Sequence, residues 1–201
     1  MTNRIIFLLL IGSIVTGCSS SKRLNLWTKQ SKVDEVKGFE SKLNPDLKLL
    51  EKNVSLSESI FPKVKEFEMS NPLIVRREKT HLLPIYAEYF YSKPDSTLRY
   101  VSYDWENNRY GNYNNDQIKW ESEAVKLNAY KTEYGRIKKQ LVKQFGQPTK
   151  QSEEPVKTIN DHGGPNFLFQ NTTWETEEKL IKLNMIFGAS TYRIRLNYYW
   201  K

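Results

Sequence analysis

The sequence predicts an α+β domain: an antiparallel sheet of about five strands with a long amphipathic helix packed on it, preceded by a helical N-terminal segment. Three observations carry that prediction. Apolar and polar residues alternate through 167–200, apolar residues recur at helical spacing over 128–145, and a chain of 201 residues with 38% AVILMFWYC is sized for one core.

Ser31 followed by Asp34 is a capping-box-like start, and Val33, Val36, Phe39 and Leu43 then recur at helical spacing until Asn44-Pro45 stops the pattern. Leu47 and Leu50 suggest a short second helix. Residues 53–80 have mixed signals, broken by Pro62 and Pro72, and no element is predicted there. Leu83 to Tyr91 and Leu98 to Trp105 are rich in strand formers and flank Lys93-Pro94-Asp95-Ser96, which predicts a β-hairpin. Residues 106–116 contain five asparagines and a glycine, a loop composition. Tyr130, Tyr134, Ile137, Leu141 and Phe145 are spaced 4, 3, 4 and 4 apart, and Gly146 with Pro148 ends this helix. Three strands follow, Phe167 to Glu175, Leu180 to Phe187 and Thr191 to Trp200. In the second, Ile181, Leu183, Met185 and Phe187 share a face; in the third, Tyr192, Ile194, Leu196, Tyr198 and Trp200 do. No repeat of fixed period is present.

Lys and Arg number 31 against 23 Asp and Glu, a net charge of +8, and the mean hydropathy is −0.67. Such a polar chain is not a polytopic membrane protein. Its single cysteine forms no internal disulfide and supplies too little sulfur for a Cys-rich metal site.

That cysteine stands at a telling place. After Met-Thr-Asn-Arg the chain is apolar from Ile5 to Val15, interrupted only by Gly12 and Ser13, and then reads Thr16-Gly17-Cys18-Ser19-Ser20-Ser21. A cationic start, a short apolar stretch and small residues make a secretory signal; at 1.5 Å per residue the stretch reaches ~17 Å, too short for a hydrocarbon core of ~30 Å. Val15-Thr16-Gly17-Cys18 resembles the lipobox of bacterial lipoproteins. The resemblance implies diacylglyceryl transfer to the Cys18 thiol, cleavage ahead of Cys18 and N-acylation of the new terminus; the alternative is a conventional signal with Cys18 an ordinary small residue. Residues 1–17 are then a signal peptide, 18–30 a lipidated, serine-rich tether and 31–201 a single soluble domain. Two or three acyl chains hold a protein firmly at a bilayer.

Catalytic signals are sparse. Asp161-His162-Gly163-Gly164-Pro165 has the look of an oxyanion loop, but no Gly-x-Ser-x-Gly elbow accompanies it, and a turn into the following strand explains it as well. His81 and His162 are too far apart in the chain for a ligand-pair spacing, so neither metal nor cofactor is expected. Arg136, Lys139 and Lys143 form a basic ridge opposite the apolar stripe of the helix over 128–145, suited to anionic head groups or phosphorylated sugars, or to plain solvation. The 12 Tyr, 5 Trp and 9 Phe suit a glycan-binding sheet but also a sheet core. An exported chain rarely meets nucleic acid, despite a pI of about 9.4.

The body is also similar, in Tyr100-Val101-Ser102-Tyr103-Asp104-Trp105, Phe145-Gly146-Gln147-Pro148, Trp174-Glu175-Thr176 and Tyr192-Arg193-Ile194-Arg195-Leu196, to small envelope lipoproteins of unassigned function from Bacteroidota. The resemblance carries no catalytic residue. In such envelopes an acidic run after the lipidated cysteine tends to mark surface export, and Ser19-Ser20-Ser21-Lys22-Arg23 lacks acid, which implies an outer-membrane anchor facing the periplasm. The expected function is a non-catalytic interaction or structural module with a protein partner in the envelope. Glycan binding, or hydrolysis at the His162 loop, is the alternative.

Overall fold

A computed structural model of the chain describes residues 24–78, 81–111, 120–159, 166–188 and 191–201. Cys18 and the His162 loop lie outside the described residues. The elements are α1 (Val33–Leu43), β1 (Leu73–Arg77), β2 (Ile85–Tyr91), β3 (Leu98–Trp105), α2 (Ala124–Phe145), β4 (Lys150–Gln151), β5 (Val156–Thr158), β6 (Phe167–Glu175), β7 (Lys179–Gly188) and β8 (Thr191–Trp200).

The expected fold class, a five-stranded sheet carrying one long helix, is overturned. The body is one antiparallel sheet of eight strands, in the order β1-β2-β3-β8-β7-β6-β4 with β5 also on β6, and its two helices are the smaller part. Three strands escape the pattern for physical reasons. β1 has five residues, follows Pro72, and ends in Arg76-Arg77 where apolar alternation would continue. β4 and β5 have two and three residues, too few to show a period of two. The helix suggested at Leu47 and Leu50 does not form; Leu49 instead bridges Val75, and the Leu50 amide donates to the Ile74 carbonyl at 3.0 Å. The edge strand β1 is thereby partly covered.

Each half of the sheet is a helix followed by a three-stranded meander, α1 with β1-β2-β3 and α2 with β6-β7-β8. The halves join through their last strands, β3 and β8, paired antiparallel from Tyr100↔Tyr199 to Trp105↔Ile194. Alternation then sorts side chains onto two faces. On the inner face Ala87, Tyr89, Val101, Tyr103, Leu183, Met185, Ile194 and Leu196 pack against Val33 and Val36 of α1 and Tyr130, Tyr134, Ile137 and Leu141 of α2. The Tyr134 hydroxyl lies 2.7 Å from Thr172 Oγ1 and donates to the Leu183 carbonyl at 3.2 Å, fixing α2 over β6 and β7. Gly146, at φ 83°, caps α2 in a conformation that disfavours a Cβ.

The composition of residues 18–30 predicts a spacer, yet 24–28 are packed between the helices. The Leu24 amide donates to Gln140 Oε1 at 2.7 Å, the Trp27 amide to the Tyr103 hydroxyl at 2.6 Å, and the Tyr198 hydroxyl to the Thr28 carbonyl at 3.0 Å. The Trp27 ring meets Phe39 with centroids 5.2 Å apart. Beneath them a buried ion pair ties α1 to β1: Arg77 donates from Nε to Glu40 Oε2 at 3.0 Å and from Nη2 to Oε1 at 2.5 Å, and Nη1 donates to the Asn25 carbonyl. Among the described residues, no helix is long and apolar enough to cross a membrane.

Candidate functional site

The outer face of the sheet divides into two parts. Near one end, Phe61, Phe90, Tyr100, Leu180 and Tyr199 form a small second core under the segment 54–69. Beyond it, strand pairing lines up polar residues in rows across the sheet. One row runs Arg76, Tyr86, Asp104, Arg195, Asn184, Asn171, and its neighbour runs Ile74, Glu88, Ser102, Asn197, Lys182, Thr173.

Asp104 is the centre of this polar surface. It is fully buried, and its Oδ1 accepts from Arg195 Nε at 2.6 Å while its Oδ2 lies 3.2 Å from Arg109 Nε. Arg109 Nε also lies 3.0 Å from Glu88 Oε1, which accepts from the Tyr110 hydroxyl at 2.5 Å. Arg109 and Tyr110 come from the loop after β3, so this cluster holds that loop down on the sheet. The Glu106 carboxylate accepts from the Thr191 hydroxyl, tying the end of β3 to the start of β8.

The two central carboxyls are pushed in opposite directions. Burial, reinforced by the Asp104 charge, raises the Glu88 carboxyl above its ordinary value. Burial also acts to raise Asp104, but Arg195 and Arg109 outweigh it and hold that carboxyl below its ordinary value. Burial, followed by the neighbouring Arg195, lowers Arg193. Asp104 is thus an anchored counter-ion. Two guanidiniums beside it retain donor capacity: Arg193 Nε and Arg195 Nη2 are buried with no hydrogen-bond partner among the described residues, as is the acceptor Asn184 Oδ1.

Next to those donors the surface turns apolar. Arg193 is in register with Ile186, Ile186 with Phe169, and Phe169 with Val156. Val156 is 61% exposed and nearby Ile159 69%. The row therefore joins a cationic end to an aliphatic end on one face.

The ridge predicted on α2 is only partly free. Arg136 is taken up by Glu133, with Nε to Oε2 and Nη2 to Oε1 both 2.8 Å, whereas Lys139 and Lys143 are exposed. His81 is exposed, and no three of His, Cys, Asp and Glu gather as a metal site among the described residues. The aromatics are mostly core: Trp105, Tyr89, Tyr100, Tyr103, Tyr134 and Tyr198 are buried. Sequence reasoning missed Glu88, Asp104, Arg109 and Arg195 as a cluster, although opposite charges at the polar positions of several strands were the available signal. Comparisons of the chain with protein-family models, with curated proteins and with solved structures find no match.

Proposed function

We propose that this chain is a lipid-anchored protein of the bacterial cell envelope, held through Cys18 at the outer membrane and facing the periplasm. Its sheet domain acts as a non-catalytic interaction module that docks a protein partner on its outer face. The partner segment is acidic with apolar neighbours. The observation that carries this reading is the row Arg193, Ile186, Phe169 and Val156, which joins a cationic end to an aliphatic end on one face. An acidic residue answers the positive charge of the half-buried Arg193 and Arg195, and aliphatic side chains cover Val156 and Ile159. Protein is favoured over sugar because the strongly exposed apolar side chains among the described residues are aliphatic, while Tyr and Trp fill the cores.

Two measurements test the two parts. A palmitate analogue should label the wild type in cells and leave Cys18→Ser unlabelled; label persisting in the variant refutes the anchor. A photocrosslinking residue at Ile186 should trap a discrete partner band, with Arg193→Glu weakening it about tenfold or more, the scale of losing a charge-assisted pair. Equal crosslinking in Arg193→Glu, or the same band from a crosslinker at Thr132 on α2, refutes the docking face.

A further inference from the structure

The place of Leu24 in the fold limits which side of the domain an anchor at Cys18 can lie beside. The Leu24 amide donates to Gln140 of α2 at 2.7 Å, and four residues on Gln144 Nε2 donates to Thr28 Oγ1 at 3.4 Å. From Leu24 back to Cys18 is six residues, a reach of at most about 21 Å. A compact chain of this size is about 40 Å across. A reach of that length from Leu24 suffices for the helix-covered side of the sheet and falls short of bringing the outer face to the same membrane.

The charge of that side fits a lipid surface. α2 carries six Lys and Arg against Glu133 alone. Arg136 pairs with Glu133, and Lys131 with Glu154 at 2.5 Å. Lys138, Lys139 and Lys143 form no ion pair among the described residues, and Lys139 and Lys143 flank Gln140, the residue that holds Leu24. Around Lys139 and Lys143 the outward side of α2 offers charge, and each cation near an anionic bilayer strengthens attachment about fivefold.

We infer that the exposed basic side of α2 around Lys139 and Lys143 rests on anionic phospholipid head groups beside the anchor, so that the Arg193–Val156 row points away from the membrane. This rests on the lipid-anchor reading above and adds an orientation to it.

The test uses the full lipidated chain in vesicles of phosphatidylcholine alone or mixed with phosphatidylglycerol. A fluorophore is placed at Thr132→Cys on α2 or at Val156→Cys on the outer face, and a lipid bearing a head-group quencher reports proximity. On mixed vesicles the Thr132 probe should be quenched about threefold or more above the Val156 probe, and raising salt from about 0.1 M to about 1 M should erase the excess as the Debye length falls from about 10 to 3 Å. Lys139→Glu with Lys143→Glu should do the same at low salt. Equal quenching of the two probes, or an excess untouched by salt, lipid charge and the double substitution, overturns the orientation. Flotation on neutral vesicles at high salt reports the anchor separately: flotation with equal quenching overturns the orientation alone, and no flotation overturns both.

Discussion

Arg195 donates from Nε to the buried Asp104 carboxylate at 2.6 Å, directly across the pairing of β3 with β8 that joins the two halves of the sheet. Asp104 also neutralises Arg109. Asp104→Ala should therefore cost about 3 to 5 kcal/mol, the usual cost of leaving a buried charge without its partner. Arg195→Met should cost less, because Asp104 keeps Arg109. Urea unfolding of the two variants checks the order, and a milder loss for Asp104→Ala would contradict this account of the cluster.

Glu88 and Asp104 should give opposite pH slopes. Glu88 binds its proton more tightly when folded, so its contribution is fully present below the ordinary value of 4.5 and is lost as pH rises through its higher folded value. Relative to Glu88→Gln, the wild type should gain stability as pH falls from neutrality toward 4.5. Asp104 holds its proton less tightly when folded, so its contribution is present above 3.8 and is lost as pH falls through its lower folded value. The wild-type advantage over Asp104→Asn should shrink below 3.8. Denaturant midpoints across this range measure both differences.

Trp27 packs its ring at a tilt against Phe39 and is half-buried. Trp27→Ala should cost about 2 to 3 kcal/mol, below the range for a fully buried tryptophan. Lys29→Ala, at an exposed position of the same segment, should stay within about 0.5 kcal/mol. Thermal unfolding that does not separate the two variants would mean that 24–28 contributes nothing to the fold.

β8 is hydrogen-bonded to β3 on one side and β7 on the other, and Ile194, Leu196 and Tyr198 are buried on its inner face. Each large apolar side chain contributes about 1.5 to 3 kcal/mol on burial. Deleting 191–201 separates the two meanders and should abolish cooperative unfolding by circular dichroism. Lys201→Ala, which removes only an ion pair with Glu175, should leave the melting temperature nearly unchanged.

Much of the fold was legible where local pattern and burial agree. The stripe from Tyr130 to Leu141 marks a helix because one face meets an apolar surface, and Ile181 to Phe187 marks a strand because alternate side chains are buried. The capping start was misplaced by one residue: the N-cap is Lys32, whose amide donates to Glu35 Oε1 at 3.4 Å. Leu24, Leu26 and Trp27 carry no period at all, because a segment filling a groove between two helices answers to the shape of the groove and not to its own repeat.

By itself the sequence determined the single cysteine behind a short apolar stretch, the two helices and the five longer strands, all properties of contiguous residues. The tertiary structure alone decided that β1, β4 and β5 complete the sheet, that Leu24, Leu26 and Trp27 pack against the core, and that Glu88, Asp104, Arg109 and Arg195 meet. Those four residues lie up to 107 positions apart. Strand register, which follows from burying one whole face at once, is what brings opposite charges into contact, and no local window of the chain contains that information.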